Sequence, residues 1–178
     1  MVEGEATDEV DWQAIVDWQA IYEEQLPRVF NFFRYRLRIE DDQTAQDLTA
    51  TTFEKAWRAR KQYQRDLAAF STWLFTIARN AAHDYFRQHR EHDSLDAVAH
   101  VEADESVEER VEQHLEAEAL RRLLRTLPDR EQELIALRYG AGLTNRAIAN
   151  LLKLSEANVA QILHRVIQRL SNEWESRL

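Results

Sequence analysis

Aromatic and basic side chains are interleaved near the middle of the chain, in a pattern suited to holding nucleic acid. Lys61, Tyr63 and Arg65 belong to one polar stretch that ends at Phe70. An aromatic ring can stack on a base, and a lysine or arginine can neutralise a phosphate. The apolar residues from Ser71 to His89 recur at helical spacing, which predicts a helix with one polar side. That polar side carries Thr76, Arg79, Asn80, His83, Arg87 and Arg90.

The apolar side of this helix predicts a buried stripe. Its members are the pairs Trp73/Leu74, Ile77/Ala78, Ala81/Ala82 and Tyr85/Phe86, each four residues from the next. Trp73 begins the stripe and also borders the aromatic stretch. Core packing and contact with nucleic acid are therefore both open for Trp73.

A second polar set follows a short turn near the C-terminus. Thr144 and Ser155 are predicted N-caps of two short helices, which fit a helix-turn-helix whose second helix enters a DNA major groove. The first helix has the apolar set Ala147, Ile148, Leu151 and Leu152, and the second has Val159, Leu163, Val166 and Leu170, widened by Ile162 and Ile167. The outward side chains of the second helix are Asn158, Gln161, His164, Arg165 and Gln168. Taken alone, this spacing fits an ordinary helical hairpin equally well.

The net charge of −9 argues, as an average, against a nucleic-acid binder. The charges are segregated, however. Residues 1–26 carry eight acids and no base, and residues 91–119 carry eleven acids and one base. Residues 28–90 have a net charge of +5 and residues 120–178 of +4, so both polar sets lie in basic blocks. We hypothesise that the acidic residues at 91–106, between the blocks, cover their DNA-binding faces in the absence of a partner.

Composition and periodicity predict an all-α protein of two small helical domains. With 3 Gly and 2 Pro, the chain has few residues for hairpin turns. We expect an acidic arm at 1–11, an N-terminal helical bundle at 12–90, an acidic linker at 91–106 and a C-terminal helix-turn-helix domain at 107–178. The second domain should open at a capping box that begins with Ser106.

Three further helix boundaries are predicted from local signals. Helical spacing begins at Trp12 and continues to Leu37, with Pro27 as a kink or restart. A polar break then precedes a second helix that includes Leu48, Phe53, Ala56 and Trp57. The run Asp129-Arg130-Glu131-Gln132 should open a helix much as a capping box does, and this helix should end at Gly140.

Several classes of protein are disfavoured by the sequence. The chain has no cysteine, lacks a signal-like N-terminus and has no apolar run of about 18 residues, so we expect a cytoplasmic protein without membrane insertion. His83, His89, His92 and His100 lie near Asp93, Asp96 and Glu102 in the sequence, but their spacing fits surface histidines better than a metal site. We expect no metal and no cofactor. No catalytic motif stands out, so the chain is predicted not to be an enzyme.

Read together, the two halves resemble a known family. The run from Phe70 to Asn80, with Asp84-Tyr85-Phe86-Arg87, resembles the second conserved region of bacterial RNA polymerase sigma factors of the extracytoplasmic-function type. The fourth region of that family is resembled, in the expected order, by Leu127-Pro128-Asp129-Arg130, Leu137-Arg138-Tyr139, Gly142-Leu143-Thr144 and Ile148-Ala149.

The resemblance implies a specificity subunit that binds core RNA polymerase, opens the minus-ten element of promoter DNA and reads the minus-thirty-five element. Its minus-ten contacts would be Tyr63, Arg65, Phe70, Trp73, Arg79, Asn80, His83 and Arg87. Its minus-thirty-five contacts would be Asn158, Gln161, His164, Arg165 and Gln168. The polymerase clamp would meet Asp47, Leu48, Phe53 and Trp57. Regulation by an anti-sigma factor is implied as well.

The chain departs from the family pattern at two places. Ala50-Thr51 stands where the family usually has Gln-Glu, so two polar contacts with the clamp are missing. The second helix of the helix-turn-helix lacks the usual basic run and keeps one family-like charge, Arg165, which predicts readout by amides more than by charge.

A polymerase-independent helix-turn-helix regulator, which usually binds a palindrome as a dimer, is the alternative function. A third possibility, a protein-binding scaffold, would leave Tyr63, Arg65 and the polar side of the helix at 71–89 unexplained.

Overall fold

A computed structural model defines residues 18–37, 42–63, 69–89, 119–120 and 122–176. The predicted acidic arm, the acidic linker and the capping box at Ser106 lie outside these ranges. Every regular element in the described ranges is helical, which confirms the all-α prediction. None of the helices found there is long and apolar enough to span a membrane.

Three helices form the N-terminal unit. They are α1 (Trp18–Arg36), α2 (Asp42–Ala59) and α3 (Phe70–His89), with a short 3₁₀ helix, Arg60–Gln62, after α2. Helix α1 continues through Pro27, so a restart at that residue is wrong. Proline removes one backbone hydrogen bond from a helix interior, but tertiary packing supplies most helix stability in a folded protein. Here α1 buries Val29, Phe32 and Phe33 beyond the proline.

Helix α3 is buried more widely than its sequence predicts. Leu74, Ala78, Ala81 and Ala82 of the predicted stripe are buried, while the remaining members of the stripe are half-buried. Phe75 lies outside the stripe and is nevertheless fully buried, with its ring centroid 5.8 Å from that of Phe32. The reason is that α3 packs against α1 as well as α2, and also contacts the C-terminal unit.

The C-terminal unit consists of a helical segment at 122–125 followed by α4 (Asp129–Ile135), a π-helical turn (Ala136–Gly140), α5 (Asn145–Leu152) and α6 (Glu156–Glu175). The predicted capping box at the start of α4 is wrong, because the N-cap is Pro128 and no side chain caps it. Gln132 is instead buried, and its amide donates to the carbonyls of Leu124 and Leu127 at 2.9 Å. It therefore satisfies the end of the preceding helical segment.

The two units pack directly against each other and share one continuous hydrophobic core. The largest contact joins α1 to the π-helical turn. A Cβ on Gly140 would lie 2.8 Å from the backbone oxygen of Asn31 and 3.0 Å from Cα of Phe32, so only glycine permits this approach. Beside it, Arg28 Nε donates to the carbonyl of Ala141 at 2.8 Å.

A buried arginine also lies between the units. The side chain of Arg36 is 1% exposed, and its Nη2 donates to Asp129 Oδ1 at 2.8 Å. Its guanidinium lies 4.5 Å from the centroid of the Phe86 ring. Its Nε and Nη1 have no hydrogen-bond partner within the described part of the chain. An ion pair with an exposed carboxylate contributes up to about 1 kcal/mol and a cation–π contact about 1–2, whereas each unpaired buried donor costs about 1–3.

These magnitudes predict that Arg36 adds little net stability. Arg36→Met should leave the free energy of unfolding unchanged or raise it by about 1–2 kcal/mol, because it removes two unsatisfied donors and keeps an apolar stem. The matched variant Asp129→Asn should lower stability by about 1–3 kcal/mol, since it leaves the buried charge without its counter-ion. Urea unfolding followed by circular dichroism measures both. A loss above about 2 kcal/mol in the methionine variant contradicts this balance.

Candidate nucleic-acid interface

Three predicted minus-ten residues form an aromatic cluster at the start of α3. The ring centroids of Tyr63, Phe70 and Trp73 lie 5.3–5.4 Å apart in all three pairings. Trp18 of α1 extends the cluster by an edge-on contact with Phe70 at 5.9 Å. All four rings are half-buried, so each is held by neighbours and keeps an accessible part. Such a surface can stack on an unpaired base.

Trp73 lies at the edge of the core. It packs against the other rings of the aromatic cluster, and part of it remains accessible. Its backbone N–H donates to the carbonyl of Ala69 at 3.1 Å, which fixes the first turn of α3. Arg65, a predicted member of the same site, lies outside the described residues.

The polar side of α3 divides into two groups. Asn80 and Arg87 are exposed, and Arg87 donates to Asp84 of the same helix at 3.0 Å. Arg79 and His83 instead meet the C-terminal unit. Arg79 Nε donates to Glu133 Oε1 at 2.7 Å, and His83 Nε2 lies 3.2 Å from the same oxygen.

Glu133 belongs to this site, although no sequence pattern predicts it. Its side chain is 8% exposed although glutamate usually faces solvent. It lies between buried Gln132 and Leu134 on α4. The apolar residues next to it in the sequence indicate that this part of α4 is buried. Its partners Arg79 and His83 are 54 and 50 residues away, however, and no local pattern predicts them.

The predicted clamp residues lie on two sides of α2. Asp47 is exposed, Leu48 is half-buried and Trp57 is 47% exposed. Phe53 is only 6% exposed and packs edge-on against Tyr22 with centroids 4.7 Å apart, so it belongs to the core rather than to a contact surface. The substituted Ala50 is exposed. The departure from the family pattern therefore falls on an accessible face.

The helix-turn-helix is built by two side-chain caps and one left-handed residue. Thr144 accepts from Ala147 N, and Ser155 accepts from Asn158 N, each at 3.2 Å, which confirms both predicted N-caps. Lys153 ends α5 with φ 55° and ψ 47°. The N–H of Leu154 then donates to Ala149 O at 2.9 Å, closing the turn.

Helix α6 presents the predicted faces. The stripe Val159, Leu163, Val166 and Leu170 is buried, together with Ile162. Asn158 is half-buried, and the exposed members of the predicted set are Gln161, His164, Arg165 and Gln168. Ile167 is 40% exposed, and Ala157 and Ala160 are also exposed, so three apolar residues lie on the accessible side.

The histidines considered for a metal site have other surroundings where they are described. His83 meets Glu133, and His89 stacks on Tyr85 with ring centroids 4.0 Å apart. His92 and His100 lie outside the described residues. In the ranges that the structure defines, no group of three or more His, Asp or Glu residues is arranged to hold a metal ion.

Comparison with known families and sequences identifies both units. The family described as Sigma-70 region 2 matches residues 21–92, and Sigma-70 region 4 matches residues 123–172. The ECF RNA polymerase sigma factor SigM of Bacillus subtilis is 31% identical over 154 residues, which cover 84% of this chain and 90% of SigM. The ECF RNA polymerase sigma factor BldN of Streptomyces coelicolor is 29% identical over 154 residues, which cover 85% of this chain. The match spans 58% of the length of BldN.

Solved structures share the fold. The sigma factor RpoE from Bartonella quintana, solved in complex with the anti-sigma factor NepR, aligns with a TM-score of 0.66 and 20% sequence identity. This alignment covers 89% of the present chain and 97% of RpoE. CnrH, solved with the cytosolic domain of CnrY, aligns with a TM-score of 0.62 and 22% identity, over 92% of this chain and 89% of CnrH.

The left-handed turn generates a prediction about stability. Lys153→Gly should raise the free energy of unfolding by about 0.5–1 kcal/mol, because the left-handed conformation costs a residue with a Cβ about 1–2 kcal/mol and glycine nothing. Ala160→Gly, at an exposed interior position of α6, is the control and should lower stability by about 1 kcal/mol. Urea denaturation measures both. Equal losses in the two variants would mean that the turn carries no strain.

Proposed function

The chain belongs to the RNA polymerase sigma factors of the extracytoplasmic-function type, and we propose that it directs core RNA polymerase to specific promoters. One observation carries the proposal: regions 2 and 4 occur in order on one chain, each with accessible groups suited to DNA. We assign polymerase binding and opening of the minus-ten element to residues 12–90. We assign recognition of the minus-thirty-five element to residues 107–178, which the acidic linker 91–106 joins to the first domain. The catalysis belongs to the polymerase, and we infer action in the cytoplasm.

The N-terminal unit is proposed to open the minus-ten element. Unstacking a base costs a few kcal/mol, and stacking on an aromatic side chain returns about 1–3 kcal/mol per base. The aromatic cluster of Tyr63, Phe70 and Trp73 offers such a surface for a flipped base. Asn80 is exposed on the next turns of α3 and can hydrogen-bond near it. Arg65 is proposed to lie beside the flipped base, and Arg79, His83 and Arg87 to contact phosphates or the edge of the opened duplex.

The C-terminal unit is proposed to read the minus-thirty-five element through α6. Asn158 and Gln161 carry amides that can form paired hydrogen bonds with adenine, and Gln168 lies further along the helix. His164 and Arg165 add polar contacts. Because Ala160 and Ile167 are accessible and uncharged, this helix offers fewer phosphate contacts than a basic one.

Core polymerase is the proposed partner of α2. Asp47 and Trp57 are the accessible members of the predicted clamp set, with Leu48 partly accessible. The guanidinium of Arg60 lies 3.9 Å from the Trp57 ring centroid and holds this exposed indole in place. Phe53 packs in the core on the buried face of α2. An anti-sigma factor is also proposed as a partner, by analogy with RpoE in its complex with the anti-sigma factor NepR.

Run-off transcription on a promoter library tests the proposal. Core polymerase with this chain should yield promoter-specific transcripts that core polymerase alone does not. Tyr63→Ala should lower open-complex formation by about 5- to 150-fold, the equivalent of one lost stacking contact. Tyr35→Ala, an exposed tyrosine outside the aromatic cluster, is the control and should have no effect. Folded protein that yields no specific transcript contradicts the proposal. Tight binding of the chain alone, as a dimer on a palindrome, would support a polymerase-independent regulator instead.

A salt titration tests the charge-poor recognition helix. With a promoter recovered from that library, holoenzyme carrying Ala160→Lys should bind with a log K against log salt slope steeper by about 0.9, the contribution of one phosphate contact. Ala160→Gln adds length without charge and should leave the slope unchanged. If the lysine variant shows no steepening, α6 does not lie along the DNA backbone.

A further inference from the structure

The first residue of α6 carries a negative charge at the end of the helix that is expected to meet DNA. Glu156 follows the N-cap Ser155 directly and is the only charged side chain between residues 156 and 163, the first two turns of α6. In a helix-turn-helix, the N-terminal residues of the second helix contact base edges in the major groove. A carboxylate at this position is repelled by the phosphates unless it has a partner of its own.

Arg146 of α5 lies beside this carboxylate. Its Nε is 3.5 Å from Oε2 of Glu156, and the two side chains are 81% and 54% exposed. An ion pair this exposed contributes little to the stability of a fold. It does neutralise Glu156, and it joins the first turns of the two helices of the helix-turn-helix.

The guanidinium of Arg146 has donors to spare for DNA. It carries five N–H groups in a planar fork, and only Nε faces Glu156 at this distance. The remaining groups can donate to a phosphate oxygen in the geometry that arginine favours. Arg146 can therefore bind the DNA backbone and hold Glu156 towards the groove at the same time.

The chemistry of a carboxylate selects one base. An ionised carboxylate only accepts hydrogen bonds, so it needs a donor on the edge of the base pair. In the major groove guanine and thymine present acceptors, and adenine places its N6 donor next to the acceptor N7. Cytosine presents the N4 amino group, which is the usual major-groove partner of glutamate and aspartate.

Glu156 and the amides of α6 reach different base pairs. Glu156 and Gln161 are five residues apart, or about 7.5 Å along the helix axis. One base pair rises by about 3.4 Å, so a change at Glu156 should alter the preference at one position and leave the position read by Gln161 unchanged.

We propose that Glu156 is a specificity-determining residue that selects a cytosine in the minus-thirty-five element, and that Arg146 positions it while bound to the DNA backbone. This inference rests on the proposed function. The alternative role of Glu156 is structural, because an acid in the first turn of a helix is stabilised by the helix dipole. That role has no consequence for the choice of base, so the two roles differ in what a binding selection measures.

Selection of promoters by holoenzyme tests the proposal. Core polymerase with the full chain is offered promoters randomised across the minus-thirty-five element, and the bound DNA is sequenced. The wild-type chain should select cytosine at one position. Glu156→Gln should select adenine at that same position, because a glutamine amide pairs with N6 and N7 of adenine. On a single promoter, exchange of the selected base should weaken binding by about tenfold in each case.

Glu175→Gln is the matched control. It removes the same charge from the other end of α6, about 28 Å from Glu156 along the helix axis, and Glu175 is also exposed. It should leave every base preference unchanged. A shift at the same position in this control overturns the proposal, because the effect would then be a general loss of acidic charge.

Arg146→Gln tests the positioning role. The variant should bind all promoters more weakly, and its plot of log K against log salt should be less steep by about 0.9, the contribution of one phosphate contact. Its preference for cytosine should also fall, because Glu156 has lost the group that neutralises and orients it. An unchanged salt slope overturns the role of Arg146 at the backbone.

The outcomes separate this inference from the proposed function. Promoter-specific transcription with the same selected bases for the wild type and Glu156→Gln overturns the role of Glu156 and leaves the sigma-factor function standing. A loss of stability in Glu156→Gln with unchanged base preference does the same and identifies the structural role. Folded wild-type protein that yields no promoter-specific transcript overturns the proposed function, and this inference with it.

Discussion

The contact of two backbones at Gly140 is the constraint on which the arrangement of the two units depends. A side chain at this position would overlap the carbonyl of Asn31, and the π-helical turn could not lie against α1. The extra residue of a π-helical turn shifts the backbone relative to a regular helix, and the turn is buried here at Gly140. Polar pairs between the units form around this approach: Arg28 with Ala141, Arg36 with Asp129, and Arg79 and His83 with Glu133.

The packing of the two units combines a net positive charge on each unit with ion pairs between them. Each unit belongs to a basic block, yet acids of the C-terminal unit lie opposite individual arginines of the N-terminal unit, within a contact that also contains the shared hydrophobic core. The net charge of −9 comes from the acidic arm and linker segments rather than from these blocks. The hypothesis that the linker covers the DNA-binding faces concerns residues outside the described ranges. Within them, Glu133 of the C-terminal unit contacts Arg79 and His83 of α3.

The two surfaces that we propose for DNA differ in the interactions they can make. The N-terminal unit offers aromatic stacking supported by ring-to-ring contacts, which is tolerant of sequence but suited to unpaired bases. The C-terminal unit offers amides on a helix with little positive charge, which favours base readout over phosphate attraction.

The sequence by itself determined the features that depend on near neighbours along the chain. These are the helical class, the caps at Thr144 and Ser155 and the buried stripe of α6, because helical period and capping act within a few residues. Only the tertiary structure decided the burial of Phe75, the role of Gln132 and the pairing of Glu133. Each follows from which helix faces meet, and the partners of Glu133 lie at least 50 residues away. Periodicity shows that a face is buried, but the shape of the packed units determines what covers it.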